Sequence, residues 1–210
     1  MSIFYGSTHQ ISKHETCEKM QKDLSFLVNI FDQFNGYDLH SLGPFLEISN
    51  LRKFSRGDLL VREGEICDKL FFIEQGMVRS YYHKEVKDIT ISFSLAGEFI
   101  TSMSGFITQQ PTYENIEALE DTVVLEFGKE QLNELFEREP KWADIYRTML
   151  EEYYVKLEEH LIFSKFKTAK ERYAELLRDK PQIIKTASIG QIASFLGINI
   201  ETLSRIRSDR

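Results

Sequence analysis

The densest chemistry in this 210-residue chain lies near its end, in SIGQIASFLGINIETLSRIRS, residues 188–208. Glu201 and Arg205 stand four positions apart, so on a helix they share one face, with Ile200, Ser204 and Arg207 also turned outward. A guanidinium can bond guanine O6 and N7 together, a carboxylate can accept from cytosine N4, and an apolar side chain such as Ile200 can touch a thymine methyl. Ser188 and Gln191 lie where backbone N–H groups and short polar side chains favour phosphate. Asn199 and Thr202 complete the set expected at DNA.

These side chains act together only if the backbone forms two short helices around a tight turn. Ser188 with Gln191 three residues later fits a capping box, which predicts a helix start. Ile189, Ile192, Ala193 and Leu196 then form one apolar stripe, and Gly197 supplies the left-handed residue that ends a helix. Asn199 is a good N-cap for the second helix, with Ile198 and Leu203 at the two positions of a hydrophobic staple. A turn this short is the length a helix-turn-helix requires, and DNA-binding helices read base edges with their first turns. An αα-hairpin that merely packs has the same stripe but no need for the basic outer face.

Competing chemistry is poorly organised. Cys17 and Cys67 are the only cysteines, whereas an iron–sulfur cluster needs about four. None of His9, His14, His40, His83 and His160 carries a haem or metal motif. A barrel metalloenzyme commonly uses His-x-His with a further carboxylate and His, and the strand-rich segment offers the lone His83, expected on a surface turn. Cys67, in EGEICDK, is expected as a partly buried turn residue, with no His paired to it in sequence. There is no P-loop or dinucleotide fingerprint, and the Glu151-Glu152 and Glu158-Glu159 pairs read as solvated helix faces. The expectation is no enzyme and no metal.

The chain has 26 Lys+Arg against 33 Asp+Glu, a formal charge of −7, with 42% apolar residues, the balance of a globular protein. The charge is unevenly spread: residues 168–210 are net +3 and residues 1–167 net −10. No apolar run approaches the ~20 residues needed to span a bilayer, and the first twenty residues have no basic-then-apolar signal pattern. A cytoplasmic protein without membrane association is expected.

Residues 16–48 read as short helices, with Leu24, Leu27, Val28 and Phe31 at helical spacing. Over 51–127, strand-like runs alternate with glycine turns: 59–61, 69–73, 77–82, 88–93 and 122–127. Ile89, Ile91 and Phe93, and likewise Val123, Leu125 and Phe127, alternate as one face of a strand and are expected in the core. Lys129–Glu137 reads as a short helix. From Lys141 to about Lys167 a long one follows, with Tyr146, Leu150, Tyr153, Leu157 and Leu161 as a seam. Trp142, Ile145 and Met149 widen its apolar arc, so it needs a second neighbour, which the same helix of a second chain can supply. A helix over about 169–178, a connector containing Pro181 and the final helical pair complete the chain.

With RGDLLVREGEICDKLFFIEQGMVRSYY (56–82) ahead of the long helix and IASFLGINIETLSRIRS, the chain resembles the Crp/Fnr family of bacterial transcription regulators over about residues 20–208. The resemblance implies an α+β fold. Its parts would be a sensor domain over 1–140 built on a double-stranded, jelly-roll-like β-roll of the cyclic-nucleotide-binding kind, a dimerisation helix over 141–167, and a helix-turn-helix domain over 168–210. Because the final helix runs almost to Arg210, the wing that usually follows is expected to be truncated or missing.

The resemblance further implies a homodimer that reads a palindromic operator in double-stranded DNA, with RNA polymerase as a further partner. The family's recognition-helix Glu and Arg fall on Glu201 and Arg205, while a preceding basic position falls on Ile200. Members that bind cyclic AMP carry a Glu and an Arg-Ser/Thr pair in the segment corresponding to GEFITSMSGFITQQPTYENIEAL (97–119), which here has Ser102 near the Glu position and no Arg or Lys. A phosphate buried without a cation is costly, so cyclic AMP is not expected as effector and no cofactor is implied. An effector pocket, if the roll has one, is expected at Glu98, Thr101, Ser102, Tyr113, Glu114 and Asn115. The alternative is a ligand-binding or protein-interaction module whose helix-turn-helix is degenerate.

Overall fold

The computed structural model describes residues 43–85 and 87–208; most of the helices expected over 16–48 lie outside them. Eight strands are found among the described residues: β1 (Ser49–Phe54), β2 (Leu59–Val61), β3 (Lys69–Gln75), β4 (Met77–Lys84), β5 (Lys87–Leu95), β6 (Phe99–Ile100), β7 (Asn115–Ala118) and β8 (Thr122–Gly128). They pair antiparallel into two four-stranded sheets, ordered β1-β8-β3-β6 and β2-β7-β4-β5. Neighbours far apart in sequence interleave, as in a double-stranded roll. All five expected runs are strands; β1, β6 and β7 are additional, being short or polar enough to give no alternation. Gly76 turns β3 into β4 at φ +99°, and a Cβ there would stand 2.8 Å from the Asp121 carbonyl oxygen, so glycine is required twice over.

Val61, Cys67, Phe71, Ile73, Val78, Ile116 and Val124 fill the inside of the roll. Cys67 is thus a fully buried core residue. On the outside of the first sheet, Phe45 of α1 (Gly43–Glu47) stacks between Phe127 and Trp142 at ring distances of 4.2 and 4.9 Å. This covers β8 on both faces, so Val124 is buried along with Leu125 and Phe127.

The expected face of β5 is overturned. Phe93 is buried, but Ile89 and Ile91 are 36% and 40% exposed while Thr90 is 3% exposed. Ser92 opposes Ser80 and Thr90 opposes Tyr81, so Ile91 is the extra residue of a bulge that reverses the alternation. His83 is not on a turn but within β4, exposed.

Helices follow: α2 (Met103–Thr108) between β6 and β7, then α3 (Lys129–Arg138), α4 (Pro140–Phe166), α5 (Ala169–Asp179), α6 (Pro181–Thr186), α7 (Ile189–Phe195) and α8 (Ile200–Ser208). The segment around Pro181 is a helix instead of a connector: proline stands in its first turn, where its missing N–H costs nothing, and Ile183 is buried. α4 buries Trp142, stacked on Phe45, and Ile145, and its expected seam emerges progressively. Tyr146 and Leu150 are half-buried, whereas Tyr153, Leu157 and Leu161 are 49%, 52% and 57% exposed. No described helix is long and apolar enough to cross a membrane.

Candidate nucleic-acid interface

Local chemistry sets both helices of the terminal pair. The Gln191 N–H donates to Ser188 Oγ at 3.2 Å and the Ser188 N–H donates to Gln191 Oε1 at 2.8 Å, closing the capping box on α7. Gly197 takes φ +65° just past its end. The Thr202 N–H donates to Asn199 Oδ1 at 2.7 Å, capping α8. Beneath, Ile192, Ala193, Leu196 and Leu203 join Tyr173, Leu176 and Ile183 in one core, with Ile198 and Ile206 packed against it. Ile189, expected in the stripe, is more than a third exposed because the stripe begins one turn later.

That core leaves Ile200, Glu201, Ser204, Arg205 and Arg207 exposed along α8, with Thr202 half-buried. Glu201 stands in the first turn and both arginines in the last, each sign facing the favourable end of the helix dipole. Among the described residues, the Arg205 guanidinium makes only a long 3.5 Å contact to Thr202 Oγ1. Ser188 is exposed and Gln191 half-buried at the start of α7. The arrangement is a firmly anchored helix presenting one carboxylate, two guanidinium groups and a hydroxyl to solvent.

Residues with no motif hold this unit to the roll. Ser194 Oγ accepts from the Thr90 N–H at 2.9 Å and donates to the Asp88 carbonyl at 3.1 Å, closing the open edge of β5, while Phe195 meets Phe93 edge-on at 5.2 Å. Lys180 Nζ bonds Glu98 Oε1 at 2.7 Å, while within the unit itself Arg172 donates to the Leu196 carbonyl at 2.8 Å. Buried Arg79 binds Glu117 and Asp88 at 2.7 and 3.0 Å and lies 4.0 Å over the Tyr81 ring. A guanidinium amid MVRSYY is the one sequence signal that could have marked this outer face; Ser194 had none.

The six residues expected at a pocket go to different partners. Glu98 turns to Lys180 and to the Leu95 N–H. Thr101 Oγ1 donates to the Lys69 carbonyl at 2.7 Å beside Cys67 Sγ, and Ser102 Oγ pairs with Thr112 Oγ1 at 2.5 Å. Asn115 Oδ1 accepts from the Glu63 N–H at 2.9 Å. Glu114 accepts from the Ser80 hydroxyl and Tyr113 lies 5.3 Å from Tyr82, so these two form one local group. Burial pushes the Tyr82 and Tyr153 phenols up, and Glu114 adds to both. No group of three metal-ligating side chains is found among the described residues.

Residues 51–139 match the family model described as cyclic nucleotide-binding domain. The chain is 30% identical over 185 residues to the fumarate and nitrate reduction regulatory protein of Vibrio cholerae, covering 82% of this chain and 72% of that one. It is 30% identical over 169 residues to the transcriptional activator protein anr of Pseudomonas aeruginosa, covering 74% and 68%. Among solved structures, FixK2 from Bradyrhizobium japonicum superposes with TM-score 0.66 at 22% identity, over 77% of this chain and 84% of that one. A CooA mutant from Carboxydothermus hydrogenoformans gives 0.62 at 21%, over 83% and 84%. At such identities the structural likeness speaks for the fold alone.

Proposed function

The chain belongs to the Crp/Fnr family of transcription regulators, and from that premise we propose that it is a homodimer reading a palindromic operator in double-stranded DNA through α8. The observation that carries this is the contrast within that helix: Leu203 is wholly buried while Glu201, Ser204, Arg205 and Arg207 stand free of the core. Arg205 and Glu201 read base edges, with Ile200 against a thymine methyl; Ser188, Gln191, Asn199, Thr202, Ser204 and Arg207 position the helix on the backbone. The net +3 of residues 168–210 favours phosphate, while the −10 of the rest disfavours it and orients the heads. The exposed seam of Tyr153, Leu157 and Leu161 supports pairing of two α4 helices, which sets the heads about one helical turn of DNA apart, roughly 34–36 Å. RNA polymerase is the further partner that regulation of transcription calls for, and no catalytic role is assigned.

The residues of the roll do not fit a cyclic nucleotide phosphate. Residues 97–119 hold no Lys or Arg, Ser102 and Thr101 are spent on Thr112 and Lys69, and a carboxylate, Glu114, stands among them. The regulator therefore answers to an effector other than cyclic AMP, or to none.

Arg205→Ala tests the reading. It should weaken operator binding by about 1–3 kcal/mol and leave affinity for random DNA nearly unchanged. Equal loss on both would make Arg205 a phosphate contact. Affinity should also fall steeply with salt; a flat salt response in anisotropy titrations contradicts the assignment.

A further inference from the structure

The register of the second sheet gathers one chemical group. Ser80 opposes Ile116, so Ser80, Tyr82 and Ile116 share a face, and Glu114, two residues before Ile116, continues it. Tyr82 and Tyr113 stand 5.3 Å apart at 50°, an open wedge and not a closed stack. The Ser80 hydroxyl fixes one Glu114 oxygen; the other has no hydrogen-bond partner among the described residues, and Glu114 makes no ion pair there. Burial and then the Glu114 carboxylate push the Tyr82 phenol up with no cation to oppose them, whereas Arg79 and Arg62 oppose the rise at the neighbouring Tyr81; Tyr113 and Tyr153 of α4, neutral themselves, are the other titratable groups beside Tyr82. Tyr113 is 57% exposed, so the wedge opens to solvent.

A half-buried carboxylate beside the Tyr82–Tyr113 wedge, with no counter-ion among the described residues, is an unbalanced charge. Ring quadrupoles attract cations lying within about 6 Å of the ring centre, and most strongly where water is excluded. We propose that Tyr82, Tyr113 and Tyr153 around Glu114 form a receptor for an organic ammonium ion, protonated or quaternary, whose charge Glu114 neutralises and whose alkyl groups the rings enclose. This inference rests on reading the roll as the sensing part of a regulator, and it gives that sensor a ligand of charge opposite to a nucleotide.

The test is calorimetric titration of the full chain with tetramethylammonium, and in parallel with neopentyl alcohol, an uncharged molecule of similar shape, and with cyclic AMP. Saturable binding of tetramethylammonium is expected, at least tenfold tighter than the alcohol, with cyclic AMP unbound. Glu114→Gln should weaken it at least tenfold, and Tyr113→Leu, at an exposed position that folding does not need, severalfold. No saturable binding, equal binding of the alcohol, or an affinity untouched by both substitutions overturns the proposal. Operator selection by the same wild-type sample separates the two readings. Intact DNA selection without ammonium binding sinks only the receptor, whereas failed DNA selection sinks the regulator.

Discussion

Ser194→Ala tests whether α7 is docked on the second sheet through β5. The Ser194 hydroxyl closes the open edge of β5 by taking the Thr90 N–H at 2.9 Å and giving to the Asp88 carbonyl at 3.1 Å. The two losses are unequal. Asp88 is exposed, and water replaces what its carbonyl loses. Thr90 is 3% exposed, and its N–H is left without an acceptor. An orphaned buried donor costs about 1–3 kcal/mol. Phe195 against Phe93, the Lys180–Glu98 pair and the shared apolar core all remain, so docking loosens without failing. Taking the middle of that range, about 2 kcal/mol, the open state gains roughly thirtyfold. Amide hydrogen exchange read by NMR should show the Thr90 amide exchanging about ten- to thirtyfold faster, with the β2–β7 pair unchanged. Unchanged exchange at Thr90, or equal acceleration throughout the roll, would refute the docking geometry.

Leu203→Ala removes a wholly buried side chain from the core under α8 and should cost about 2–5 kcal/mol in chemical denaturation, with loss of operator binding. Arg79→Met strips the cation from Glu117 and Asp88, whose side chains are 22% and 38% exposed. Because both carboxylates still reach water, the loss should fall at or below about 3 kcal/mol, and adding Glu117→Gln should recover part of it. Thr168 N–H and hydroxyl hold the Glu171 carboxyl below its ordinary value. The capping box that starts α5 is therefore fully supported above the unfolded carboxyl's pKa and lost as pH falls through the lower folded one. Thr168→Ala should raise the Glu171 midpoint in an NMR titration; an unmoved midpoint contradicts the cap.

The terminal helix pair is legible in the sequence because its determinants are local. Ser188 with Gln191, Gly197 and Asn199 with Thr202 act across a few residues, and each does so in the structure. The long helix showed in its seam for the same reason. What escaped notice depends on distant partners. The bulge at Ile91 is set by pairing with β4, and it exposes two isoleucines that simple alternation buries. Ser194 acts across more than a hundred residues, on Asp88 and Thr90. Glu98 lies near the other expected pocket residues in sequence, but Lys180, 82 residues on, takes its carboxylate. Tyr82 meets Tyr113 and Glu114 only once β4 is in place beside β7. The −7 of the whole chain was a poor guide to a DNA partner, since charge acts where it is placed.

Sequence-specific reading of DNA by α8 is the central claim, and selection from a random duplex pool by the purified full chain tests it most directly. A palindrome whose two halves lie about one helical turn apart, about 10–10.5 base pairs centre to centre, should be enriched, and Arg205→Ala should abolish the enrichment. A pool that emerges as random as it entered would contradict the account and leave the helix pair as a packing element.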